Sequence, residues 1–138
     1  VVATVMSNLG LERAIEEAGG RLLRCAVGDR YVVEAMRRSG SNFGGEQSGH
    51  MIFLDYTTTG DGLVTALQLL ALSSEAERPL SELADQAFER VPQVLLNVSL
   101  PSRRPVDELT RTKRAIRAAE QRLGKEGRVL VRWSGTEA

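Results

Sequence analysis

The sequence predicts an α/β fold: a βαβ-type mixed sheet domain with covering helices, followed by an incomplete small α+β domain. Three observations predict it. From Val1 to Arg90, short β-branched apolar runs alternate with segments of helical period. Turn and capping residues mark the junctions between them. Beyond Arg90 there remain only one alternating run, one amphipathic helix and a second alternating run, which bury little surface alone. We therefore expect two domains, residues 1–90 and 91–138.

Val1–Met6 is nearly all apolar, as in a strand covered on both faces. Ser7 or Asn8 then caps a helix with Leu11, Ala14, Ile15 and Ala18 inward, and Gly19-Gly20 ends it. Arg21–Val27 alternates as a second strand. Asp29 is placed to cap a second helix, whose inner face is Tyr31 or Val32, Ala35 and Met36 and whose end is Ser39-Gly40. A third strand follows, with Met51–Leu54 continuing it. Strand–helix–strand–helix–strand implies parallel pairing between at least some strands. Asp55–Gly62 is a polar loop with Asp61 as a helix cap, and Leu63–Leu72 is apolar almost all round, as in a buried helix. Pro79 suits the first position of another helix, with Leu80, Leu83, Ala84, Ala87 and Phe88 inward. Gln93–Leu100 reads as a half-exposed strand, Pro105–Leu123 as one long amphipathic helix, and Arg128–Trp133 as a final strand.

The 138 residues carry 18 basic and 18 acidic side chains, so a general nucleic-acid-binding surface is not expected. No apolar run approaches the ~20 residues that span a bilayer, and no membrane role is expected. The single cysteine, Cys25, fits a reducing compartment and reads as a small core residue. The chain starts at Val1 without a basic leader and reads as a strand of a longer protein.

Two segments carry polar chemistry. Gly44-Gly45-Glu46-Gln47-Ser48-Gly49-His50 places the sole histidine, a carboxylate and a hydroxyl among three glycines. In a strand-like geometry Glu46, Ser48 and His50 line one face. That set suits a polyhydroxylated ligand; a polar turn with a solvated histidine is the alternative. One histidine without a cysteine or acidic cluster is a weak metal-ligand supply, so no metal site is expected here. In Arg132-Trp133-Ser134-Gly135-Thr136, a guanidinium precedes a hydroxyl- and glycine-bearing turn, which is phosphate-binding chemistry. A surface turn is the alternative, and Trp133 reads as packing.

Gly44–His50 resembles the sugar-recognition loop of the α-D-phosphohexomutases, and Arg132–Glu137 resembles their C-terminal phosphate-binding loop. Within that superfamily Val5–Leu11, Val27–Val32 and Thr57–Gly62 look most like bacterial phosphoglucosamine mutases. The resemblance implies a cytoplasmic, four-domain isomerase that interconverts glucosamine 6-phosphate and glucosamine 1-phosphate through glucosamine 1,6-bisphosphate. It also implies a phosphoserine and a Mg2+ ion held by an Asp-rich loop. Neither motif occurs in this chain, which resembles the third domain and the start of the fourth.

By that resemblance Glu46 and Ser48 hydrogen-bond sugar hydroxyls, and His50 lies near the reacting oxygen with a part in proton transfer. Arg132, Ser134, Gly135 and Thr136 grip the phosphate that is not transferred. Arg30 is a further candidate for positive potential, against a helix-start charge or surface ion pair. Expected partners are a hexosamine phosphate and the remaining domains of the same protein, and the 138 residues alone are expected to be inactive. The rival readings are a phosphomannomutase or phosphoglucomutase of the same superfamily, or a non-catalytic sugar-phosphate-binding module.

Overall fold

Val2–Thr4 forms strand β1, and all three of its residues are buried. The computed structural model describes residues 1–100, 102 and 104–134. Asn8 caps helix α1 (Leu9–Glu17), its side-chain oxygen accepting from the Gly10 N–H at 2.9 Å. Strand β2 (Leu23–Cys25) pairs parallel with β1, as a βαβ crossover requires. Helix α2 (Asp29–Ser39) returns the chain to strand β3 (Phe43–Gly45), which pairs parallel with the other edge of β1. Strand β4 (Met51–Phe53) then pairs antiparallel with β3, giving the mixed order β2-β1-β3-β4. The mixed α/β architecture is the one the sequence predicts.

Helix α2 packs on β1, β2 and β3. Val32 and Met36 are its buried residues, and with Val2 and Ile52 they are wholly inaccessible to solvent. Each such side chain contributes about 1.5–3 kcal/mol of hydrophobic stabilisation. Gly44 makes the close approach possible: a Cβ there would lie 2.7 Å from Met36 Sδ and 2.9 Å from the Val2 carbonyl oxygen. Arg24, on β2, closes the β1–α1 turn. Its guanidinium donates to the Glu12 carboxylate at 2.7 and 3.0 Å and to the carbonyls of Thr4 and Ser7.

Several local expectations are corrected. Gly28, not Asp29, is the N-cap of α2, at φ 127°, and Asp29 lies inside the first turn. Tyr31 is 47% exposed, so Val32 is the inward residue. Helix α3 (Gly62–Glu75) is capped by Asp61 as expected, but none of its residues is buried. It lies on β4 and on helix α4 (Leu80–Ala87), and its Leu63, Leu67 and Leu70 face solvent. Nothing described in this chain covers that side. Pro79 is the N-cap of α4, with extended ψ, rather than its first helical residue.

The chain divides into two compact units, Val1–Pro92 and Gln93–Ala138. Within the second, residues 93–100 and 128–133 do not form strands. A strand needs a neighbour to satisfy its backbone groups, and no ladder involves either segment among the described residues. The single helix expected over Pro105–Leu123 is a 3-10 turn, Val106–Glu108, and helix α5, Thr110–Leu123. Leu109, at ψ 76°, separates them. Ile116 and Ala119 are half-buried on the predicted inner face of α5, while Leu123 is exposed.

Candidate functional site

The carboxyl ends of parallel strands are where an open α/β sheet can present loops to a ligand. Three segments reach that region of the first unit. Gly28 follows β2, residues 46–50 follow β3, and Gly60 lies in the loop after β4. Residues 46–50 are not a continuation of a strand. They are the loop of the β3–β4 hairpin, closed by the Glu46 N–H donating to the His50 carbonyl at 2.9 Å and the Gly49 N–H donating to the Glu46 carbonyl at 3.1 Å. The period-two alignment of Glu46, Ser48 and His50 therefore does not hold. Three glycines and a polar run make a loop here instead of an extended edge.

The hairpin still gathers two of the three expected groups. Glu46 folds inward, its side chain only 12% exposed. Its Oε1 accepts from the Gly28 N–H at 2.8 Å, at the start of α2, where the helix dipole favours a negative charge. Its Oε2 lies 4.0 Å from His50 Nδ1. The imidazole is half-exposed and packs against Gly60, where a Cβ would come within 2.9 Å of Cδ2. Ser48 is exposed at the hairpin tip. The result is a fixed carboxylate, an adjacent imidazole and an outlying hydroxyl around one loop. Such a set can accept hydrogen bonds from hydroxyls and hold or move a proton at His50.

Below this loop lies Cys25, half-buried against the core. Burial first, and then the Glu46 carboxylate, push its thiol above the ordinary value. That direction and the packing of Cys25 on the core agree with its reading as a small core residue. Arg30 is exposed and pairs with Glu34 one turn along α2 at 3.0 Å. That is the surface ion pair foreseen as its alternative.

In the second unit Arg132 is exposed and Ser134 half-buried. Gly135 and Thr136 lie outside the described residues. Trp133 between Arg132 and Ser134 is anchored: its indole N–H donates to the Arg104 carbonyl at 2.9 Å, and it shares a shallow cavity with Leu100 and Leu109. Sequence reasoning missed Gly28 as the partner that holds Glu46. The signal available was a glycine directly before a helix, at a position read only as a turn.

Two family models cover the chain. The α/β/α domain III of phosphoglucomutase/phosphomannomutase matches residues 1–91, and the C-terminal domain of the same family matches residues 95–138. The chain belongs to the phosphoglucomutase/phosphomannomutase family. Among its relatives in that family is the phosphoglucosamine mutase of Anaeromyxobacter sp. (strain Fw109-5), 66% identical over 99% of this chain and 29% of that protein. The phosphoglucosamine mutases of Sorangium cellulosum (strain So ce56) and Myxococcus xanthus (strain DK1622) are 61% and 59% identical, again over 99% of this chain. The chain spans 28% and 30% of those two proteins' lengths. The two polar segments fall one in each matched range.

Proposed function

We propose that this chain is the substrate-recognition part of a phosphoglucosamine mutase, interconverting glucosamine 6-phosphate and glucosamine 1-phosphate through a bisphosphate. The observation that carries the proposal is the Glu46 carboxylate held by the Gly28 N–H at 2.8 Å, with the His50 imidazole 4.0 Å from its other oxygen. A carboxylate held on one oxygen by a backbone amide keeps its direction and presents the other oxygen to hydroxyl donors. Identities of 59–66% with phosphoglucosamine mutases favour the amino-sugar substrate over mannose or glucose phosphates.

In this reading the hairpin reads the sugar ring and Arg132 and Ser134, with Gly135 and Thr136, hold the phosphate that stays in place. The substrate reverses its two ends during the reaction, so the ring and the distal phosphate need separate anchors. The division of labour follows the proposed domains, 1–90 for sugar and 91–138 for phosphate. Among the described residues no three His, Cys, Asp or Glu side chains lie together as a metal ion needs. In this reading the Mg2+ ion belongs to the Asp-rich loop that the resemblance places elsewhere in the protein, and the residues of this chain bind and orient the sugar phosphate. No helix among the described residues is long and apolar enough to cross a membrane. A cytoplasmic location is part of the proposal.

The test is a coupled assay of the full-length protein on glucosamine, glucose and mannose 6-phosphates. The glucosamine substrate is expected to give the highest kcat/KM. Preference for mannose or glucose phosphate would replace this function with the phosphomannomutase or phosphoglucomutase reading.

A further inference from the structure

Asn8 does more than cap a helix. Its Oδ1 accepts from the Gly10 N–H at 2.9 Å and from the Val91 N–H at 3.0 Å, while its Nδ2 donates to the Val91 carbonyl at 2.8 Å. One carboxamide thus satisfies both peptide groups of a residue 83 positions away, as a neighbouring strand would. Gly10 is fitted to the same contact: a Cβ there would lie 2.0 Å from the Glu89 carbonyl oxygen and 3.0 Å from the Phe88 ring. Residues 88–91 therefore lie directly on the start of α1. Val91 is the penultimate residue of the first unit, which ends at Pro92.

We propose that Asn8 is a positioning residue: it clasps Val91 and so fixes the point at which the chain leaves the sugar-reading unit for the phosphate-holding segment. This rests on the proposed function, in which one substrate is gripped by residues of both units. A linker that begins at a fixed point restricts where the second anchor can travel, which lowers the entropic cost of gripping both ends of one ligand. Cap and clasp are separable by substitution. Serine and aspartate are as good as asparagine at an N-cap. Asn8→Asp keeps both acceptor functions but sets a carboxylate oxygen against the Val91 carbonyl, and serine is too short to pair with Val91 at both groups.

The test uses Asn8→Ser and Asn8→Asp in the full-length protein, with amide hydrogen exchange and steady-state kinetics on glucosamine 6-phosphate. The Val91 amide is expected to exchange about tenfold faster in Asn8→Ser, less so in Asn8→Asp, with the amides of α1 nearly unchanged. KM is expected to rise about threefold to tenfold in Asn8→Ser with kcat little altered. Unchanged exchange at Val91, or faster exchange spread equally along α1, overturns the clasp. Faster exchange at Val91 with unchanged KM overturns the positioning role. If the wild-type protein turns over no hexosamine phosphate, the proposed function fails, and the exchange pattern alone decides the clasp.

Discussion

The two units of the chain use the same kinds of residue to different effect. In the first, Val2, Val32, Met36 and Ile52 are shut away from water by a mixed sheet and one covering helix. In the second, Val94, Leu96 and Val98 alternate just as a strand should, yet they are 81%, 80% and 75% exposed. Helix α5 offers a half-buried stripe, but one helix and two extended segments close no sheet among the described residues. Alternation expresses a capacity to pair, and burial arrives only when a neighbouring strand or helix supplies the other half. The first unit meets that condition through its own crossovers. Helix α3 shows that even there it is met unevenly, since its outer leucines lie bare in a helix with no charge before Glu75.

The contrast can be broken by substitution. Met36→Ala removes a wholly buried side chain from the centre of the first unit, and a loss of about 2–5 kcal/mol is expected in urea unfolding. A loss below about 1 kcal/mol would mean that this core is not the one described. Arg24→Ala strips the β1–α1 turn of a guanidinium only 17% exposed and leaves the Glu12 carboxylate without its partner. About 2–3 kcal/mol is expected, read from the same transition. The sharpest version uses one chemistry in both units. Val32→Ala, at a fully buried site, should cost about 2 kcal/mol, and Val98→Ala, at 75% exposure, less than about 0.5 kcal/mol. Equal costs at the two valines would show that residues 94–98 are packed.

Much of the first unit was legible because its signals are local. The β-branched run at Val1–Met6, the cap at Asn8, the stop at Gly40 and the cap at Asp61 each act within a few residues. What failed was non-local. A polar turn at residues 46–50 was the alternative the glycines offered, but that it closes a hairpin depends on β4 pairing with β3, which no spacing within the segment reveals. The Glu46–Gly28 and Asn8–Val91 bonds join positions 18 and 83 apart, where sequence pattern says nothing. The strands expected at 93–100 and 128–133 failed for the converse reason: their pattern is strand-like, but pattern alone supplies no partner.

We propose that the carboxylate of Glu46, aimed by the Gly28 N–H, reads the hydroxyls of the sugar. The most direct test is Glu46→Gln in the full-length protein, assayed on glucosamine 6-phosphate beside a thermal melt. Glutamine still accepts from the Gly28 N–H but no longer offers a charged acceptor to the ligand. A fall in kcat/KM of about tenfold to a hundredfold is expected, with the melting temperature within a few degrees of wild type. An unchanged kcat/KM in a folded variant would contradict the claim.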